Sequence, residues 1–280
     1  MKNQIKLSIL LLVIIGVLLV LFSCQKDLSK DFTYAFINDK EISITGYTGD
    51  SNNIQVPEYI DDYQVTALSA AAFWGLVDAK TISLPDSIKS IGDNAFYSCR
   101  SLVSFHVPKS LEKIGDNVFT NCNSLEVITI DQEASNYTVL DGILYSKDLT
   151  SLVYCPPLKN ITHLAMPDTV KVIERNAFNG NGYIKRIDFS SALVEIGTTA
   201  FKDCVSLVEL VLPDGLERIN PSAFWSCKAL ESIKIPSSVT YIGEQVFYEC
   251  NKLNKVIVKE GSFAHEWYVK NGRSKDITFY

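Results

Sequence analysis

The sequence contains little of what catalysis and metal binding require. Its 280 residues include only three histidines. No Cys-x-x-Cys pair for zinc, no Gly-x-Ser-x-Gly elbow, no His-Glu-x-x-His motif and no phosphate-binding loop is present. The carboxylates are scattered over predicted turns, so their spacing indicates no acid–base pair. We therefore expect a protein that is not an enzyme and that has no metal site and no cofactor.

An excess of positive charge is also lacking. The chain carries 26 basic and 32 acidic residues, for a net charge of −6. Such a surface is a poor partner for nucleic acid or for anionic lipid headgroups. The apolar content of 47% is, however, ample for an extended core, which excludes disorder of the whole chain.

A long hydrophobic run occurs at the N-terminus, where Lys2 and Lys6 precede an apolar stretch from Leu7 to Phe22. This stretch is shorter than the ~20 residues of a membrane-spanning helix. We therefore predict a secretory signal peptide over residues 1–23, with an uncleaved signal anchor as the alternative.

The leader closes with Leu21-Phe22-Ser23-Cys24, which resembles the lipobox of bacterial lipoproteins. This resemblance implies that Cys24 is acylated and that the protein is attached to a membrane through its N-terminal lipid. Residues 24–31 then form a polar tether. Its Lys26-Asp27 pair is similar to the tethers that send some lipoproteins of Gram-negative anaerobes to the outer cell surface, which implies an outer-membrane protein facing the exterior.

The main feature of the sequence is an internal repeat, marked by one phenylalanine per copy. Successive marker positions are 23 residues apart, except for one step of 59 residues that holds a further repeat and a 13-residue insertion. The markers are Phe73, Phe96, Phe119, Phe178, Phe201, Phe224 and Phe247.

Each repeat contains a Leu-x-x-Leu-x-Leu pattern, as at Leu207, Leu210 and Leu212, followed by a proline such as Pro213. Alternation of this kind predicts a strand, and the proline ends it because it has no N–H to donate. One such unit cannot bury its own apolar edge, so the copies must stack. We predict a β-rich solenoid of right-handed coils over residues 32–258, with a parallel sheet on one face. A helix-pair solenoid is disfavoured because no segment shows helical periodicity over ten residues.

A cysteine three residues after the phenylalanine, a proline closing the strand and Ile-Gly ahead of Ala-Phe together resemble the BspA-like, or treponemal-type, leucine-rich repeats of bacterial surface proteins. The resemblance covers residues 32–258. It implies an opening hairpin in FTYAFINDKEISITGYTG and a capping segment at 259–280. Alternating apolar residues around Asp141-Gly142 and Lys147-Asp148 predict short strands with tight turns, so we expect a small hairpin that bulges from one coil at about 131–163. This hairpin resembles an insertion common in the same family. The insertion is either a docking element or a simple loop.

The same resemblance implies adhesion, with partners among host matrix or plasma proteins or other macromolecules on neighbouring cells. A periplasm-facing structural or assembly lipoprotein is the alternative. The sequence does not indicate an oligomeric state.

The cysteines beyond Cys24 follow the repeat. Five of the six occupy the same repeat position, and the copy marked by Phe178 has Asn181 there instead. Stacked equivalent residues have parallel Cα–Cβ vectors, whereas a disulfide needs convergent ones. We therefore favour buried free thiols that hydrogen-bond backbone carbonyls of neighbouring coils over disulfides. Cys155 lies in the insertion and has no obvious partner. The six are Cys99, Cys122, Cys155, Cys204, Cys227 and Cys250.

The outward positions of the predicted strands form two columns of small, polar and charged side chains, which together suit a protein-binding face or a merely solvated sheet. We expect this face to be concave if the solenoid curves as its relatives do. A second candidate is the residue after the phenylalanine, which is Trp74, Tyr97, Trp225 or Tyr248 in four copies and either binds a partner or covers the coil edge. The candidate binding residues on the sheet face are Ser104, His106, Thr129, Arg186, Asp188, Glu209, Lys234 and Lys255.

Overall fold

A computed structural model describes residues 28–131, 136–272 and 276–280. The predicted signal peptide and Cys24 lie outside these residues. The last four residues of the predicted tether, Leu28–Asp31, form a single 3-10 turn against the first strand.

The described residues form many short strands and one α-helix. The helix, α1, spans Phe263–Lys270. The strands are, in chain order, β1 (Phe32–Phe36), β2 (Glu41–Tyr47), β3 (Asn53–Gln55), β4 (Tyr59–Ile60), β5 (Tyr63–Leu68), β6 (Thr81–Ser83), β7 (Ser90–Ile91), β8 (Ser104–Val107), β9 (Lys113–Ile114), β10 (Val127–Ile130), β11 (Tyr137–Leu140), β12 (Ile143–Ser146), β13 (Ser151–Tyr154), β14 (His163–Ala165), β15 (Val172–Ile173), β16 (Arg186–Asp188), β17 (Glu195–Ile196), β18 (Glu209–Val211), β19 (Arg218–Ile219), β20 (Ser232–Lys234), β21 (Tyr241–Ile242), β22 (Lys255–Val258) and β23 (Ile277–Phe279).

The first sheet contains one strand from each coil, taken from the Leu-x-x-Leu-x-Leu pattern. Its strands pair in parallel, with equivalent repeat positions in register, as in β8 with β10, β14 with β16, β18 with β20, and β20 with β22. The C-terminal strand β23 pairs in parallel with β22. Alternate side chains are buried and exposed along each strand, as a pleated strand requires. The predicted solenoid is confirmed.

The second sheet is built mainly from the two-residue strands that follow each proline turn, together with the longer strands β5 and β13. In the N-terminal half it runs β5, β7, β9, and in the C-terminal half β13, β15, β17, β19, β21. The antiparallel hairpin of β1 and β2 caps the N-terminal end, because β2 pairs in parallel with β5.

The corner between the two sheets carries the repeated phenylalanine. These rings stack in two columns, with Phe73, Phe96 and Phe119 in one and Phe178 to Phe247 in the other. The backbone two residues before and two residues after the ring has a positive φ, as at Asn94 (58°) and Ser98 (61°). This left-handed geometry turns the chain sharply, so that the ring points into the core.

The insertion interrupts the stack between the two phenylalanine columns. The predicted hairpin is present as β11 and β12, and β13 extends it to a three-stranded meander whose last strand pairs with β15. The hairpin does not stand out from its coil as the sequence suggested. The side chains of the meander pack against both halves of the solenoid. Leu144 and Tyr154 belong to the N-terminal core, and Tyr145 and Leu152 belong to the C-terminal core.

The C-terminal end is covered by α1, which begins at an N-cap serine, Ser262, whose side chain accepts a hydrogen bond from the His265 N–H. Ala264 and Tyr268 on this helix are buried, and the Tyr268 ring lies 5.8 Å from Phe247. Within the described ranges, no helix is long and apolar enough to span a membrane.

Candidate protein-binding surface

The candidate binding residues lie together on the outer face of the first sheet. Most of them are exposed, whereas Lys234 is half-buried because its ammonium group lies 4.9 Å from the centre of the Tyr280 ring. Between these positions, apolar residues such as Phe105 and Ile187 point into the core. The strand periodicity therefore separates a buried layer from an outward layer that is mostly polar and includes the exposed Val127 and Val211.

In the N-terminal half, this surface carries a cluster around His106. The His106 Nδ1 atom lies 2.8 Å from the Thr129 hydroxyl in the next coil, and its Nε2 atom lies 3.9 Å from the Asp131 carboxylate. Lys109 contacts both Asp131 (3.5 Å) and Asp86 (3.6 Å), and these two carboxylates raise the pKa of its ammonium group. The cluster crosses three successive coils.

In the C-terminal half, an equivalent cluster forms around Asp188. The His163 Nε2 atom lies 2.8 Å from one carboxylate oxygen, and the Arg186 guanidinium lies 3.0 Å from the other. The His163 hydrogen bond, followed by that from Arg186, holds the pKa of Asp188 below its usual value. Both histidine–carboxylate pairs are about half exposed on the sheet face, so their charged and hydrogen-bonding groups are accessible to a partner.

The Asp188 cluster borders a depression of about 620 Å³ on the sheet face. Three of the candidate residues, Arg186, Asp188 and Glu209, line it. Val208 and Val211 line it too, and 55% of Val211 is exposed to solvent. Apolar side chains framed by charges of both signs form the kind of surface that protein partners bind.

We expect replacement of His163 by alanine to raise the pKa of Asp188 toward its usual value, because the hydrogen bond from His163 is the largest cause of the lowering. A lowered pKa means that the charged carboxylate stabilises the folded state. This contribution to folding stability is present above the usual pKa of an aspartate and is lost as the pH falls through the lowered pKa. Carboxyl-carbon NMR titration of Asp188 measures the change. His106→Ala, in the other cluster, serves as the control, and an unchanged Asp188 pKa in His163→Ala would contradict the assignment.

The repeated cysteines form a structural column and not a reactive site. All six cysteines of the described residues are buried and free. The thiol of each repeat cysteine donates a hydrogen bond to the backbone carbonyl of the marker phenylalanine in the preceding coil, as Cys227 does to Phe201 at 3.2 Å. Asn181 has the equivalent role, because its amide donates to the Pro156 and Lys159 carbonyls. The predicted ladder of thiols is confirmed, and Cys155 also belongs to the core.

Burial raises the pKa of Cys99 and of Cys155 to about 12. Because the thiolate is the reactive form, the native thiols should react with an aromatic disulfide reagent at pH 8 at least about 100-fold more slowly than an exposed thiol. After denaturation without a reductant, all six thiols beyond the leader should react. Colorimetric thiol titration measures both states, and fewer than six thiols in the denatured protein would indicate disulfides.

The aromatic residues after the phenylalanine pack in tilted pairs along the corner. Trp74 lies 4.7 Å from Tyr97, and Trp225 lies 4.6 Å from Tyr248. Trp74 and Tyr248 remain about half exposed, whereas Tyr97 and Trp225 are half-buried. The aromatic rings therefore cover part of the coil edge and leave one face of each pair open to solvent.

The profile of the BspA-type leucine-rich repeat region matches residues 47–163 and 154–264, with six copies. The chain belongs to this family. Among curated proteins, none is significantly similar to it in sequence.

Solved structures show the same fold as this BspA-type chain. The pneumococcal vaccine antigen PcpA is 21% identical, with a TM-score of 0.61 over 81% of this chain and 79% of its own. A leucine-rich repeat protein from Eubacterium ventriosum is 19% identical, with a TM-score of 0.52 over 83% of this chain and 85% of its own.

Sequence reasoning missed two parts of the BspA-type surface. Lys109 and Asp131 join the His106 cluster from positions just beyond the strands, and Val208 contributes from the position before a strand. The repeat predicts which residues are neighbours, because residues one period apart, such as His106 and Thr129, are adjacent in the stack. Extending the strand columns by one or two residues at each end would have identified them.

Proposed function

We propose that the protein is a lipid-anchored component of the bacterial outer surface that binds a protein or another macromolecule through the outer face of the first sheet. The observation that carries this proposal is the depression beside Asp188, in which exposed valines lie between charges of both signs. Leucine-rich repeats commonly present such a sheet face to protein partners, and a surface of this kind favours adhesion to host matrix or plasma proteins or to neighbouring cells.

The anchor in this proposal is Cys24, supported by the lipobox-like Leu21-Phe22-Ser23-Cys24. Several acyl chains on one residue hold a protein stably at a membrane, whereas a single chain gives only marginal binding. Lys26 and Asp27 support an exterior orientation. Protease treatment of intact cells tests this orientation, because an exposed protein is degraded whereas a periplasm-facing structural or assembly lipoprotein survives.

The binding role is tested with the soluble region, residues 28–280, immobilised and exposed to purified matrix and plasma proteins and to neighbouring bacterial cells. For a partner that binds, the double variant Glu209→Lys/Val211→Asp should weaken binding at least about tenfold, because it reverses one charge and removes an apolar contact at the centre of the depression. Equal binding by this variant would show that the sheet face is not used.

The matched control is Glu217→Lys/Val205→Asp. Glu217 and Val205 are exposed, but Glu217 precedes β19 of the second sheet and neither residue lines the depression. The same changes of charge and polarity placed there should leave binding unchanged. A similar loss in both double variants would indicate non-specific electrostatic attraction rather than a defined site.

A further inference from the structure

The corner of each coil that is followed by another regular coil donates three backbone hydrogen bonds to that next coil. The donors lie two residues before the phenylalanine, at the phenylalanine and two residues after it. In the coil of Phe96, for example, the N–H groups of Asn94, Phe96 and Ser98 donate to the carbonyls of Asp116, Val118 and Thr120, at 2.8 to 3.1 Å. The coils of Phe73, Phe178, Phe201 and Phe224 repeat this pattern.

The coil of Phe119 has the same donors but no acceptors. Among the described residues, no hydrogen-bond partner faces the N–H groups of Asn117, Phe119 and Asn121. The reason is the insertion, because the residue one period before Phe178 is Cys155, and its N–H donates forward to the carbonyl of Ala177. The meander thus completes the C-terminal half and leaves the corner of the N-terminal half open.

Asn117, Phe119 and Thr120 line a cavity of about 300 Å³ between the two halves, whereas Asn121, the next residue along the chain, is exposed. Phe119, Tyr137 and Tyr154 supply aromatic walls. The Thr120 hydroxyl, which also lines the cavity, is buried and has no hydrogen-bond partner in the described part of the chain. Three groups without an acceptor, the N–H groups of Asn117 and Phe119 and the hydroxyl of Thr120, therefore lie at one cavity, and an unpaired buried polar atom such as the Thr120 hydroxyl is rare in folded proteins.

Other donors at this edge are satisfied. The hydroxyl of Tyr137 accepts from the Ile114 N–H at 2.9 Å, and the Asp93 carboxylate accepts from the Asp116 N–H at 2.8 Å. The open groups are therefore confined to the corner. Two contacts join the walls of the cavity, Asn117 to Asn176 at 2.6 Å and Asp116 to Arg175 at 3.5 Å, so the spacing of the walls is held by the two halves themselves.

The donor pattern selects the chemistry of an occupant. Donors on alternate residues match a polypeptide, because the backbone carbonyls that accept them in the other coils also lie on alternate residues, as Asp116, Val118 and Thr120 do. A small anion is disfavoured, since the carboxylates of Asp116 and Glu174 also line the cavity. In every regular coil the acceptors at this position are themselves backbone carbonyls.

We infer that this junction cavity and its exposed edge at Asn121 bind a short peptide segment of a partner protein, whose carbonyls accept the hydrogen bonds of Asn117, Phe119 and Asn121. The site uses residues separate from those of the sheet face. Loss of binding at one site therefore leaves the other intact, and the two proposals can fail independently.

The test uses a library of seven-residue peptides, blocked at both ends, selected against residues 28–280. Hydrogen exchange followed by NMR should show the amides of Asn117, Phe119 and Asn121 exchanging at least about tenfold more slowly with a selected peptide bound. Protection at other amides only, or no selected peptide at all, would overturn the proposal. Inorganic phosphate at millimolar concentration protecting the same three amides would overturn it in favour of an anion site.

Two variants sharpen the result. Val153→Trp fills the cavity, because Val153 lines it and is half-buried, and should weaken peptide binding at least about tenfold. Val103→Trp, at an exposed valine outside the cavity, is the matched control and should bind normally. Thr120→Val keeps the shape of the side chain and removes only the hydroxyl, so folding is preserved and binding should weaken several-fold. Normal peptide binding by folded Val153→Trp would also overturn the proposal.

Discussion

Replacing Phe201 by alanine should lower the free energy of unfolding by about 3 to 5 kcal/mol, the usual cost of removing a fully buried aromatic ring. Phe201 has no exposed surface, and its ring stacks between Phe178 at 4.8 Å and Phe224 at 5.2 Å. Neighbouring coils on both sides are fixed by backbone hydrogen bonds and cannot collapse into the space that the ring leaves. The cavity therefore remains in Phe201→Ala, and its full cost appears as a loss in the free energy of unfolding.

Urea unfolding monitored by circular dichroism measures this loss. The matched control is Tyr183→Ala, an aromatic residue of an adjacent coil that is 40% exposed and lies outside the phenylalanine column. It should cost far less, because exposed surface positions usually change stability by about 0.5 kcal/mol. A loss below about 1 kcal/mol for Phe201→Ala would contradict a continuous stacked core.

Replacing Tyr154 by alanine should cost a similar amount, about 3 to 5 kcal/mol, and should also uncouple the two halves of the solenoid. Tyr154 lies 5.1 Å from the Phe119 ring, and its hydroxyl donates to the Phe119 carbonyl at 3.2 Å. Together with Leu144, it links the meander to the N-terminal core, while Leu152 on the same strand faces the C-terminal core. In a stack held by nearest-neighbour contacts, weakening one interface separates the units on either side.

Tryptophan fluorescence can follow the two halves separately, since Trp74 lies in the N-terminal half and Trp225 in the C-terminal half. Variants that retain a single tryptophan should unfold at the same urea concentration in the parent protein and at different concentrations after Tyr154→Ala. Tyr154→Phe keeps the ring and loses only a hydrogen bond, so it should cost about 1 kcal/mol and leave the transitions together. Coincident transitions in Tyr154→Ala would show that the meander does not couple the halves.

The sequence was sufficient to predict the solenoid, because a fixed period places every apolar residue in the same environment once per coil. The exchange of cysteine for Asn181 similarly indicated a hydrogen-bonding position rather than a disulfide. Both inferences depend only on equivalence between copies. That is the property that a repeat makes visible without any knowledge of the surrounding structure.

The insertion could not be predicted to the same depth, because it has no second copy for comparison. Its alternating residues indicated strands, but not that β13 pairs with β15 or that Tyr154 contacts Phe119. Cys155 lies one period before Phe178 and so occupies the phenylalanine position by spacing. The aromatic ring that packs against Phe119, however, belongs to the adjacent residue Tyr154. The junction cavity follows from this local arrangement, so no repeat pattern could reveal it.

The thiol column also bears on how the protein matures. The proposed export would place folding outside the cytoplasm, where disulfides form readily. Because the six described cysteines are free in the native state, any disulfide formed among them beforehand is a misfolding event. Each repeat cysteine bonds a carbonyl 26 residues earlier in the chain, as Cys204 does with Phe178. A thiol is therefore shielded once its own coil docks on the preceding one, and contacts this local form early in folding. As the coils dock one after another, each therefore protects a further cysteine from oxidation.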